Sequence, residues 1–208
     1  MRSLFIRALV STAALSVTGV AMADTVLFAD NFEQESFGLN YNSFANWDVN
    51  PGTVDLIGRS GNTQFFDLSA TNQTKYVDLD GSTNRAGTMT SKSTWTFAAG
   101  VSYKLQFDLA GNRRGAGSDL LNFSVQVGNF ASTITTTANQ DFQTYSFTFI
   151  GNGSTGGIVF NEQGADNQGQ LLDNVQLSVV PLPAAAWSGM ATLAGIGGLT
   201  IVRRRKMA

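Results

Sequence analysis

The 208-residue chain contains no cysteine and no histidine, and only three prolines. Without cysteine, an exported domain has no disulfide and must be held by its core. Without histidine there is no Ser-His-Asp triad, no imidazole general base and no ordinary zinc site. What remains is carboxylate chemistry and oxygen-ligated cations such as calcium. Bases are also scarce where the chain is richest in acids. All 15 carboxylates lie between residues 24 and 180, with only seven bases: Arg59, Lys75, Arg85, Lys92, Lys104, Arg113 and Arg114. That segment therefore carries −8, although the whole chain carries −2. Such a charge repels nucleic acid and anionic membranes, and it suits neutral ligands and divalent cations.

The missing bases sit at the two ends. Arg2 and Arg7 precede an apolar stretch, residues 8–20, and Ala21-Met22-Ala23 follows. Small residues at the two positions a signal peptidase reads make residues 1–23 a signal peptide, cleaved before Asp24. At the other end, Val180-Pro181-Leu182-Pro183-Ala184 leads into an uncharged apolar run, residues 184–202, closed by Arg203-Arg204-Arg205-Lys206. As a helix this run spans roughly 28 Å, close to a bilayer core. The basic residues 203–206 belong on the cytoplasmic side, which places residues 24–179 outside the cytoplasm. Short motif, apolar helix and basic cluster resemble the PEP-CTERM sorting signals, in the variant that begins Val-Pro-Leu-Pro-Ala. The resemblance implies processing of residues 180–208 by an exosortase-type peptidase. It also implies membrane anchoring, at least transiently, and delivery to the surface or exopolysaccharide matrix of a Gram-negative bacterium.

Between the ends the chain has the length of one domain. Apolar and polar residues alternate with period two, and no amphipathic helix is evident. Tyr103, Leu105, Phe107 and Leu109 share one face, opposite Lys104, Gln106 and Asp108. Phe123, Val125 and Val127 alternate in the same way, as do Tyr145, Phe147 and Phe149. Ile158-Val159-Phe160 is a short buried strand, and residues 172–180 close the domain. Asn50-Pro51-Gly52 lies between two strand-like runs and predicts a hairpin. The expected fold is all-β, an antiparallel jelly-roll sandwich of nine to eleven strands over residues 24–179.

Several phrases, in order, resemble the choice-of-anchor C family, related to the DUF642 and galactose-binding-like sandwiches. They are Trp47-Asp48-Val49, Val54-Asp55-Leu56-Ile57-Gly58, Tyr76-Val77-Asp78-Leu79-Asp80-Gly81, Phe107-Asp108-Leu109-Ala110-Gly111-Asn112 and Leu172-Asp173-Asn174-Val175. The resemblance implies a jelly roll and association with cell-wall or matrix polysaccharide. Carbohydrate-binding jelly rolls often hold a structural calcium between the first and last strands. Asp30, Glu33 and Asp173 are the carboxylates expected to supply it if those strands pair. The competing reading is that Asp30 forms a turn and Asp173 starts a strand. For a glycan, Trp47, Tyr76, Asp78 and Trp95 are the expected contacts, aromatics for stacking and a carboxylate for hydroxyls. Against that, aromatics at alternating positions are usually core.

Two stretches point away from catalysis and cofactors. Gly151-Asn152-Gly153-Ser154-Thr155-Gly156 matches a dinucleotide fingerprint, but a strand follows where the pyrophosphate needs a helix, so it reads as a hairpin turn. Arg113 and Arg114 read as a solvated hairpin loop rather than an anion site. No positioned nucleophile motif exists, so no enzymatic activity is expected. The expected function is a non-catalytic glycan- or matrix-binding module whose partners are signal peptidase, an exosortase, polysaccharide and, at least transiently, the membrane. The alternatives are a structural biofilm protein without a specific ligand and an extracellular polysaccharide hydrolase.

Overall fold

A computed structural model describes residues 23–58, 74–83, 85–112, 120–164 and 166–181, without the side chains of residues 120–123. Residues 23–181 form one compact unit. Among the described residues there are fourteen strands and no helix. The first seven are β1 (Thr25–Asp30), β2 (Gly38–Tyr41), β3 (Trp47–Val49), β4 (Val54–Gly58), β5 (Lys75–Asp78), β6 (Thr88–Ser91) and β7 (Trp95–Thr96). The rest are β8 (Ser102–Ala110), β9 (Leu120–Val127), β10 (Phe130–Thr137), β11 (Gln143–Ile150), β12 (Thr155–Gly156), β13 (Ile158–Glu162) and β14 (Leu171–Val180).

The strands make a seven-stranded sheet in the order β11-β8-β14-β5-β4-β2, with β1 also paired to β14. A five-stranded sheet runs β10-β9-β13-β6-β3, and β7 and β12 form a small ladder. All of these strand pairs are antiparallel. β14 is the spine of the larger sheet. One edge pairs with β8, while the other takes β5 at its start and β1 along its later half.

Alternation explains the core. Tyr103, Leu105, Phe107 and Leu109 of β8 are buried, as are Leu172, Val175 and Leu177 of β14. The five-stranded sheet contributes Trp47, Met89, Val125, Val127, Ile158 and Phe160. The sheets meet where Phe107 and Phe160 pack edge to face, 5.2 Å between centroids. Each fully buried large side chain contributes about 1.5–3 kcal/mol relative to exposure, so a core this size needs no disulfide. A smaller cluster of Ile57, Tyr76, Ala110 and Leu171 lies apart from it, with Phe142 against it.

Three predicted hairpins are corrected by the sheet order. β3 and β4 lie in different sheets, so Asn50-Pro51-Gly52 carries the chain across the sandwich. Its backbone is tied to β6 instead, through Asn50 N–H to Thr88 O and Thr88 N–H to Pro51 O, each 3.0 Å. Gly52 has φ 79°, and a Cβ there would lie 1.9 Å from Ala86 O, so only glycine fits. The glycine-rich stretch after β11 also crosses between sheets. It is pinned to the chain before β8 by Phe97 N–H to Ser154 O (2.8 Å) and Gly153 N–H to Phe97 O (2.7 Å). The rejection of a nucleotide loop stands, because β12 and β13 follow rather than a helix. β8 and β9 are likewise in different sheets, so the chain between them is not a hairpin loop. Arg113 and Arg114 lie outside the described residues.

Candidate ligand-binding face

The outward positions of β8 and β14 are polar because the inward ones fill the core. They line an open cleft of about 520 Å³ on the outer side of the seven-stranded sheet. At its centre is the Asp108 carboxylate, held from two sides. Thr144 Oγ1–H donates to Asp108 Oδ1 (2.6 Å), and Asn174 Nδ2–H donates to Asp108 Oδ2 (2.8 Å). Gln106 and Gln176 are direct cross-strand partners beside it, and Asn31 completes the polar lining at the end of β1.

Local backbone irregularity builds this arrangement. β14 pairs regularly with β8 except between Asp173 and Gln176, where the register shifts. Asn174 sits in that bulge at φ 51°, a left-handed conformation that asparagine tolerates better than most residues. The bulge lets Asp173 be buried while Asn174 reaches Asp108. Among the described residues no lysine or arginine lines the cleft. Lys104, two residues along the same face, is paired with Asp24. The cleft therefore offers two carboxylates, Asp108 and Asp30, with amides and a hydroxyl, a donor–acceptor set suited to a neutral polyhydroxylated molecule.

The terminal strands do pair, with Asp30 opposite Val175, but the three expected calcium ligands do not converge. Among the described residues no group of three or more such side chains is gathered for a metal. Asp30 accepts from Phe32 N–H, Asn46 Nδ2–H and Trp47 Nε1–H at 2.9–3.0 Å. Glu33 accepts from Thr74 N–H (2.6 Å), Lys75 N–H (2.8 Å) and Thr74 Oγ1–H (2.7 Å). Partial burial raises its carboxyl, but these hydrogen bonds and the Lys75 charge prevail and hold it below the ordinary value. Lys75 Nζ itself donates to the Glu33 and Glu35 carbonyls, at 2.7 and 2.6 Å. Asp173 is fully buried and accepts from Asn174 N–H. The trio is engaged as hydrogen-bond acceptors and does not fit a calcium ion.

The expected glycan contacts are corrected by burial. Trp47 is 0% exposed, packed against Phe28, Phe32 and Phe160, and its indole N–H is satisfied by Asp30. Tyr76 is 2% exposed, with Phe142 edge-on at 5.6 Å. Asp78 is buried and accepts from the Asp80 and Gly169 N–H groups. Trp95 is half-buried against Phe28. Among the described residues every aromatic side chain is buried or half-buried, and none lies in the cleft. The signal for Asp108 and Gln106 was present in the sequence as the polar half of the β8 alternation. Asn174 and Thr144 join them only through strand pairing.

Val180 ends β14 and Pro181 follows it. Leu182, Pro183, Ala184, the apolar run, the basic tail and the signal peptide lie outside the described residues. No helix among the described residues is long and apolar enough to cross a membrane.

A family model described as "Protein of unknown function (DUF642)" matches residues 29–178. No curated protein matches. The fold is similar to that of the Stig cyclase Fisc from Fischerella sp. TAU, 17% identical with TM-score 0.51 over 76% of this chain and 99% of that one. The CBM22-1 xylan-binding domain of Xyn10C from Paenibacillus barcinonensis is 14% identical, with TM-score 0.44, over 78% of this chain and 99% of that one. The carbohydrate-binding module of lichenase 5A from Cellvibrio mixtus, solved with cellotriose, is 11% identical, with TM-score 0.41, over 74% and 98%.

Proposed function

The chain belongs to the DUF642 family, and on that premise we propose that it is a non-catalytic module that binds neutral polysaccharide along the outer face of the seven-stranded sheet. The observation that carries this reading is the Asp108 carboxylate, fixed by Thr144 and Asn174 beside the Gln106–Gln176 pair. A carboxylate whose position is already fixed accepts from sugar hydroxyls without losing rotamer freedom on binding. Adjacent amides both donate and accept, as adjacent hydroxyls do. Recognition here is by hydrogen bonding rather than stacking, because no aromatic lines the cleft.

Hydrolysis is disfavoured on the same ground. A glycosidase needs one carboxyl that gives up a proton and a second that attacks or activates water. The cleft's two carboxylates, Asp30 and Asp108, both have each oxygen occupied by a donor. The setting we propose is extracellular, reached through the signal peptide of residues 1–23. Sorting by an exosortase-type enzyme at residues 180–184 follows, with transient anchoring through residues 184–202.

Affinity electrophoresis against purified neutral polysaccharides tests the binding reading. Retardation by at least one of them is expected, and Asp108→Ala should weaken it about tenfold or more while the protein stays folded. Failure to bind any member of the panel, with self-association instead, would favour a structural matrix protein. Release of sugar from the same panel would make it a hydrolase. A tag placed after Ala208 tests the address. It should be missing from the extracellular protein, and its retention there would indicate a plain anchor.

A further inference from the structure

We propose that this chain forms a two-fold dimer through one open side of the sandwich, where the edge strand β11 pairs antiparallel with β11 of a second copy. β1, β2, β3, β10 and β11 are the edge strands of the two larger sheets. Natural edges are blunted by shortness, bulges, proline or charge, because a bare row of N–H and C=O groups templates another chain. Three of these strands follow that rule. β2 has four residues and a register shift, β3 has three residues, and β1 is bulged between Val26 and Phe28. β10 and β11 do not follow it. Each has eight residues, pairs with its inner neighbour without a register shift, and contains no proline and no charged residue. Among the described residues no strand pairs with the outer edge of either.

The two bare edges lie one above the other. Phe130 of β10 packs on Phe147 and Phe149 of β11, at 5.2 and 5.6 Å between centroids. Core aromatics deeper in the sandwich, such as Phe107 and Phe160, are 0% exposed, whereas Phe130, Tyr145 and Phe147 pack against the core yet stay half-buried. An aromatic seam is therefore open along this side. Charge and symmetry select the occupant. Two copies of a domain that carries −8 repel each other, least where neither presents an acid, and both edge strands are such stretches. A uniform uncharged strand is also its own antiparallel complement. A two-fold axis normal to the sheets sets β11 against β11, brings β10 towards β10 and closes one seam on the other. Eight residues span about 27 Å, and two sheets about 10 Å apart make a strip roughly 20 Å deep. The pair would bury about 1,000 Å² in total, enough for a specific interface, which one edge alone would not reach. Antiparallel pairing keeps the outer faces on the same side, so two clefts, each lined by Thr144 of β11, would share one continuous sheet. The dimer itself needs no sugar, so it stands or falls independently of the polysaccharide reading.

The test is sedimentation velocity of the extracellular protein over about 1–100 μM, the range in which a small interface associates. The dimer fraction should rise with concentration, and also with sodium chloride, which screens the mutual repulsion of the acidic domains. Ser146 and Thr148 are exposed on β11. The double variant Ser146→Lys, Thr148→Lys sets like charges along both copies of the shared edge and should raise Kd about tenfold or more. It also brings the net charge closer to zero, so a general rise in repulsion would not account for the loss. Gln126→Lys, exposed on the five-stranded face, is the control and should dimerise as the wild type does. Unfolding in urea establishes that each variant is folded. A wild-type protein that stays monomeric throughout the range overturns the proposal and leaves the edge to an extended segment of another protein. So does a dimer untouched by the edge lysines, one weakened equally by Gln126→Lys, or open-ended growth beyond two copies.

Discussion

The two outer faces of the sandwich have the same pleated backbone and differ in how their side chains are held. The seven-stranded face fixes Asp108 between Thr144 and Asn174 and sets the two glutamines beside it. The five-stranded face carries a second open cleft, about 700 Å³, lined by Thr88, Gln126, Thr133, Val159 and Asn161 among others, with no charged side chain. Its main internal tie is Thr88 Oγ1–H to Asn161 Oδ1, 2.8 Å, between neighbouring strands. Larger volume does not make the better site. The difference lies in one bulge with one left-handed asparagine, which converts a wet row into a positioned constellation.

The largest effect that would sharpen this contrast comes from neither face. Trp47→Ala removes a side chain that touches Phe28, Phe32 and Phe160 and takes one of three donors from the Asp30 carboxylate. A loss of about 3–5 kcal/mol in urea unfolding is expected. Unchanged stability with lost polysaccharide binding would instead restore Trp47 to a binding surface and break the contrast.

The next effect concerns carboxylates. Asp108 has both oxygens satisfied, whereas the buried pair of Asp80 and Glu162 leaves Asp80 Oδ1 without a partner. Burial, joined by the Asp80 and Asp166 charges, raises the folded pKa of Glu162 from 4.5 to about 7. The folded state then holds its proton more tightly than the unfolded chain does. Its stabilising contribution is full below about pH 4.5 and is lost as pH rises to about 7, then stays flat. Roughly 2–3 kcal/mol should disappear across that window. Glu162→Gln should flatten the slope, as read from urea midpoints at several pH values. A slope unaltered by the substitution would assign it to other groups.

How much of this was legible follows from what alternation reports. The burial of Tyr103, Leu105, Phe107 and Leu109, and the polarity of Gln106 and Asp108, were readable because period two separates inside from outside. Alternation does not name the partner strand. Asn50-Pro51-Gly52 therefore read as a hairpin although it joins two sheets. Trp47 resembled a surface aromatic because Asp48 and Asn46 flank it, and its hydrogen bond to Asp30 is visible only once the chain folds. The Asp80–Glu162 pair was beyond reach for the same reason. It depends on the chain after β13 folding back over the end of β5, and no local spacing encodes that.

The smallest expected effect makes the sharpest test of the two faces. Gln126 is exposed on the five-stranded face, opposite Val159 of β13, and lines its cleft. Its amide has the same chemistry as Gln106 and Gln176, so exposure and residue type alone would give the two faces equal standing. If a held carboxylate is what makes a site, Gln126→Ala should change neither polysaccharide retardation nor stability beyond about 0.5 kcal/mol. Gln176→Ala should weaken retardation severalfold under the same conditions. Loss of binding in Gln126→Ala with none in Gln176→Ala would move the ligand to the five-stranded face. Recognition would then rest on the uncharged hydroxyl and amide row, with the Asp108 arrangement serving only to pin β8, β11 and β14 together.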